Sequence, residues 1–140
     1  MRYIFLFLCI SISSIYHNVY GKSIDTLMQT CTITGVALEY AHMNISVFQY
    51  SDYFTFTEEK IGTFYVDSVG EFSFSFPLRH TQEIFMYLGI YKCFLFAEPD
   101  SIHEIILPPL VQKTLAEELN PFYSPENISL GIKNPQAHDL

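Results

Sequence analysis

The stretch Asp67-Ser68-Val69-Gly70-Glu71-Phe72-Ser73-Phe74-Ser75-Phe76-Pro77 decides how this chain is read. Phe72, Phe74 and Phe76 alternate with Glu71, Ser73 and Ser75, the period-two pattern of a strand with one face in a core and one in water. Asp67 and Gly70 bracket a short connection before it, since an aspartate side chain bonds backbone two residues on and glycine accepts positive φ. The strand-like run Ile61 to Val66 precedes that turn. The pattern predicts a hairpin in which Tyr65 and Phe72 face each other.

Working outward, the same period recurs. Cys31, Ile33 and Gly35 alternate with Thr30, Thr32 and Thr34, and Ile45 and Val47 alternate with Ser46, Phe48 and Tyr50. On the other side, Ile84 to Ile90 and Lys92 to Ala97 are two more strand-like runs with Gly89 marking a bend between them. Glu98-Pro99-Asp100-Ser101 is a turn by composition, and Ile102 to Leu107 is a strand ended by Pro108 and Pro109. Short strands separated by regular turn signals are the mark of an all-β sandwich or barrel, here placed over residues 28–109. Past Pro109 the composition changes. Leu110 to Leu119 suits one short helix stopped at Asn120-Pro121, and residues 110–140 read as a linker or tail, with one strand-like run at Ile128 to Ile132.

The opening residues carry a different signal. Met1 and Arg2 precede an apolar run from Ile4 that ends before Tyr16, shorter than the roughly 20 residues a helix needs to span a bilayer. Val19 and Gly21 supply the short residues that precede a cut before Lys22, so residues 1–21 read as a cleavable signal peptide, the domain as exported, and no membrane insertion is expected after cleavage. Cys9 lies inside the apolar run behind the large Leu8, which argues against lipid attachment. The net charge of −8 repels phosphate backbones and anionic lipid, so nucleic acid is not an expected partner. Cys31 and Cys93 are too far apart in sequence for a redox-active C-x-x-C; they are read as small buried hydrophobes, with a structural disulfide as the alternative.

Two segments carry a resemblance. Asp67-Ser68-Val69-Gly70-Glu71-Phe72-Ser73-Phe74, preceded by Ile33-Thr34-Gly35-Val36-Ala37, resembles carboxypeptidase-regulatory-like domains, transthyretin-like β-sandwiches common in exported and outer-membrane proteins of Gram-negative bacteria. Ala97-Glu98-Pro99-Asp100-Ser101 followed by Ile105-Ile106-Leu107-Pro108-Pro109 resembles the closing hairpin of a subgroup found at the start of uncharacterised exported proteins and of some thiol-disulfide oxidoreductases. That subgroup usually has glycine where this chain has Asp100. The resemblance covers roughly Thr30 to Pro109. It implies an antiparallel transthyretin/Ig-like sandwich with no peptidase chemistry of its own, acting as a binding or structural module; the alternative it implies is the N-terminal part of an exported oxidoreductase whose catalytic domain lies elsewhere.

Enzyme signatures are weak. His103-Glu104 opens like H-E-x-x-H, but Leu107 stands where the second histidine belongs, and His42, His80 and His103 read as scattered surface residues; no metal or other cofactor is expected. Asp52, Glu58, Glu59, Glu98, Asp100 and Glu104 have no spacing that brings a catalytic pair together, so a hydrolase stays a distant third reading. Asn44-Ile45-Ser46 and Asn127-Ile128-Ser129 are glycosylation acceptors only in a eukaryotic secretory pathway. The feature above background is the aromatic load, 10 Tyr and 13 Phe without a Trp. Most Phe belong in the core. Tyr50, Tyr53, Phe54 and Phe56, around Asp52, lie in a polar-flanked stretch and offer either an exposed surface for a carbohydrate or a protein segment, or a cover for the open end of the sandwich.

Overall fold

A computed structural model describes residues 28–133; the signal segment read over 1–21 lies outside the described residues. The strands are β1 (Gln29–Val36), β2 (Asn44–Asp52), β3 (Thr57–Tyr65), β4 (Glu71–Leu78), β5 (Gln82–Leu88), β6 (Tyr91–Ala97), β7 (Ile102–Ile106), β8 (Glu126–Ser129) and β9 (Gly131–Lys133). They form a four-stranded sheet in the order β4-β1-β7-β9 and a five-stranded sheet in the order β3-β2-β5-β6-β8. The two sheets share one core. Cys31, Ile33, Phe72, Phe76 and Ile105 come from the first, and Ile45, Val47, Phe64, Ile84, Met86, Cys93 and Leu95 from the second. The fold is mostly β and sandwich-like, as expected, but the sheets are mixed rather than purely antiparallel, because β1 runs parallel to β7 and β6 parallel to β8.

The alternation in β4 holds. Phe72 and Phe76 are buried, Glu71, Ser73 and Ser75 are exposed, and Phe74 is half-buried, stacked on Phe76 with ring centroids 5.5 Å apart. Glycines on the neighbouring strand β1 and on β3 of the other sheet make room for these rings. A Cβ on Gly35 would sit 2.5 Å from Phe72 Cζ, and one on Gly62 would sit 2.6 Å from Phe74 Cζ. Any larger residue at either position displaces an aromatic ring from the core.

The hairpin expected across Asp67 to Gly70 is absent, although its turn is present. Asp67 Oδ1 accepts from the N–H groups of Val69 (2.9 Å) and Glu71 (2.8 Å), and Gly70 takes φ +87°. The chain uses this turn to cross between sheets: β3 pairs with β2, and β4 pairs with β1. Tyr65 therefore lies opposite Asn44, not Phe72. The inward ring before it, Phe64, meets Phe72 across the core at 4.9 Å. An aspartate-glycine turn specifies a reversal without specifying a ladder partner. Two strands with apolar inner rows bury more of them face to face than side by side in one sheet.

The segment read as a linker or tail adds an outer strand to each sheet. The run Ile128 to Ile132 divides at the buried Leu130, with β8 on β6 and β9 on β7. Leu130 donates its N–H to Phe94 O (2.8 Å) at the crossing. The helix expected over Leu110 to Leu119 is reduced to α1 (Leu115–Glu118). Thr114 and Glu117 form a reciprocal capping box that starts it late. Upstream, Leu110 and Val111 are engaged elsewhere, by Glu39 and by the N–H of Ile90.

At the turn before β7, Asp100 takes φ +56°. This is the left-handed region that glycine enters freely and Asp tolerates among the non-glycine residues. Cys31 and Cys93 are buried free thiols, one in each sheet.

Candidate binding site

The β2–β3 connection is a tight hairpin whose tip, residues 53–56, carries three of the four aromatics singled out in the sequence. Asp52 organises it. Its Oδ1 accepts from the Phe54 N–H (2.8 Å) and its Oδ2 from the Thr55 hydroxyl (2.7 Å), while Thr55 and Thr57 hydroxyls lie 2.7 Å apart. The Thr55 hydroxyl and the Phe54 N–H hold the Asp52 carboxyl below the usual range, so it is committed to its charged, acceptor-only form. Phe56 takes φ +52°, a conformation that costs a bulky residue energy and persists only where its surroundings enforce it.

The tip projects into solvent rather than closing the end of the sandwich. Phe54 is 97% exposed, Phe56 63% and Tyr53 57%. Tyr50 is the anchor: its ring meets Tyr53 at 5.8 Å and Phe56 edge-on at 5.5 Å, and packs on Phe85 at 4.7 Å. The structure thus brings Tyr50, Tyr53 and Phe56 together and leaves Phe54 alone at the apex.

Beneath the tip is an arrangement the sequence reading missed. Phe85 is fully buried, yet it points away from the core that Ile84 and Met86 enter. Phe48, Tyr87 and Phe94 surround it on the outer face of the five-stranded sheet, with centroids between 5.8 and 5.9 Å away. Lys92, only 8% exposed, lies across this cluster with Nζ 4.0 Å from the Phe85 ring centroid. Nζ donates to Glu58 Oε1 (2.7 Å) and to the Tyr50 hydroxyl (2.8 Å), and the Tyr87 hydroxyl donates to the same Glu58 oxygen (2.6 Å).

Burial works against the Lys92 charge, but the bonds to Glu58 and Tyr50 outweigh it and hold the ammonium protonated. Burial likewise pushes Glu58 up, and the bonds from Lys92 and Tyr87 overcome it and leave the carboxyl below its ordinary value. The cluster is therefore a small second core, capped by a cation that fixes the phenol of Tyr50. One signal for it stood in the sequence: Lys92 falls on the same strand face as Phe94 and Phe96, an odd place for a charge unless that face is covered.

Beside Tyr50 and Tyr53 opens a cleft of about 340 Å³, walled by Gln49, Gln82, Glu59 and Glu83. Its amides are already aligned. Gln82 Nε2 donates to Gln49 Oε1, and Gln49 Nε2 donates to Glu59 Oε2 (3.0 Å).

The other candidates are dispersed. His42 Nδ1 lies 2.9 Å from the Tyr65 hydroxyl and His103 Nε2 lies 2.9 Å from the Ser101 hydroxyl, while His80 lines the cleft. Glu104 pairs with Lys133 (2.6 Å). Burial pushes the Cys93 thiol up to about 12 and raises that of Cys31, the opposite of what a reactive thiolate needs. Comparison with protein-family models, curated proteins and solved structures gives no match.

Proposed function

We propose that the chain is a non-catalytic β-sandwich module of an exported protein, built on the carboxypeptidase-regulatory-like, transthyretin/Ig-like plan, and that it binds its ligand at the β2–β3 hairpin. One observation carries the binding role. The tip holds Tyr53, Phe54 and Phe56 exposed in an ordered turn, through Asp52 and a left-handed Phe56, and Phe54 at its apex gains no burial from the fold. Exposed aromatics on a pre-organised turn bind without a further ordering cost.

The acids around the hairpin support binding over catalysis. Asp52 and Glu58 are both held below their ordinary values, whereas a general acid needs its carboxyl raised. Export rests on the signal-like residues Met1 to Gly21, and the family plan on the Asp67 to Phe74 pattern together with the positive φ at Asp100, where the resembling subgroup carries glycine.

Phe54→Ser tests whether the tip serves the fold or a ligand. The unfolding free energy should change by less than about 0.5 kcal/mol, as for a surface position without structural duty. A large loss would make the ring part of the fold, and turnover of chromogenic esters or glycosides by the pure protein would make the module an enzyme.

A further inference from the structure

Which chemistry suits the seat follows from the charges left over once internal partners are counted. Four carboxylates lie at or near the hairpin. Asp52 is bound by its own turn, Glu58 by Lys92 and Tyr87, and Glu59 by Gln49. Only Glu58 is paired with a cation, so Glu59 and Glu83 bring net negative charge to the cleft, and a cationic segment is the competing occupant that the test separates. The nearby ammonium of Lys92 is buried and paired, which leaves His80 as the basic side chain lining the cleft.

The groups that face the cleft are also directional. The Gln49 and Gln82 amides and the Glu59 carboxylate keep lone pairs and N–H groups not used in their mutual bonds, a set that matches hydroxyls able both to donate and to accept. Tyr50 and Tyr53 line the same cleft; the Tyr50 ring is packed on Phe85 and Lys92, and Tyr53, more than half exposed, has ring surface open to ligand C–H groups. The cleft falls in the size range of small-ligand sites, roughly 300 to 1,000 Å³, and Tyr53, which lines it, belongs to the same hairpin tip as the exposed Phe54 and Phe56.

We infer that the cleft between the amide row Gln49–Gln82 and the Tyr50–Tyr53 wall takes a sugar ring of a neutral polysaccharide, an inference that rests on the binding role proposed above. A ring with one C–H face and a girdle of hydroxyls satisfies both walls at once. A phosphorylated or uronic-acid ligand meets Glu59 and Glu83 with like charge.

Native gel electrophoresis of the full chain through xylan, mixed-linkage β-glucan, galactomannan or soluble starch tests this, with polygalacturonate and an immobilised lysine-rich peptide as contrasting probes. Retardation by at least one neutral polymer is expected. Tyr53→Ala should weaken it about tenfold, the order of one stacked aromatic contact, and Gln82→Ala should weaken it while Thr34→Ala, on the opposite sheet, leaves it unchanged. Circular dichroism melts should show all three variants folded. Retention only by polygalacturonate or by the peptide, lost in Tyr53→Ala, would overturn the neutral-sugar assignment and leave the hairpin as a binding seat. Neutral-polymer binding indifferent to both Tyr53→Ala and Gln82→Ala would overturn the seat. Retention by no probe would overturn both readings.

Discussion

The two outer faces of the sandwich are built on opposite terms. On the β4-β1-β7-β9 sheet the outward residues include Thr32 and Ser75, joined by a 2.9 Å hydroxyl contact, the exposed Ser73, the surface pair Glu104–Lys133, and the exposed Val36, Ile102 and Ile106, with no aromatic ring among them. On the β3-β2-β5-β6-β8 sheet the outward residues are Phe48, Tyr50, Phe85, Tyr87 and Phe94, with Lys92 and Glu58 locked among them. The first face leaves its side chains separately exposed, without a packed cluster of their own. A face packed as a second core supports something, and what stands on it is the hairpin whose Tyr50 touches both layers.

If that comparison is right, the largest effect belongs to Phe85. Phe85→Ala should cost about 3 to 5 kcal/mol in denaturant melts, as much as Phe72→Ala in the shared core, and more than Phe74→Ala at its half-buried site. A mild Phe85→Ala would reduce the outer cluster to surface decoration.

Glu58 comes next. Glu58→Gln leaves the Lys92 ammonium without its ionised partner, at about 1 to 3 kcal/mol. The sign of the pH dependence follows from the depressed Glu58 carboxyl: its contribution is fully present above the ordinary value of 4.5 and is lost as pH falls through the lower folded value. Acid titration of stability should therefore show a step below 4.5 that is absent in Glu58→Gln. Equal acid sensitivity in the two proteins would mean that the pair adds nothing. The smallest effect lies on the hydroxyl face, where Thr32→Ala should stay within about 0.5 kcal/mol of wild type.

How much of this the sequence reveals differs between the same two faces. The alternation of Phe72 to Phe76 against Glu71 to Ser75 is legible because one side of β4 meets water. In β5, Ile84, Phe85 and Met86 are all buried, so period two gives no contrast and the outward row cannot be told from the inward one. The Asp67 turn is legible and its destination is not, since the side-chain bonds that set the turn are local and the choice of sheet is made by Phe64 meeting Phe72. Tyr50, Tyr53, Phe54 and Phe56 stand out in sequence by their spacing around Asp52. Their partners Lys92, Gln82 and Glu58 come from other strands, and only the β2–β5–β6 register puts them alongside. The last strands are legible only as one strand-like run from Ile128, because each is short and the run is divided between two sheets at one residue.

A pre-organised seat requires the tip to be rigid while its rings are exposed, and backbone ¹⁵N relaxation of the free protein measures that directly. Order parameters for Tyr53 to Phe56 should match those of the flanking strands, about 0.85. Values below about 0.6 at Phe54 and Phe56 would describe a floppy loop and would contradict a pre-organised seat.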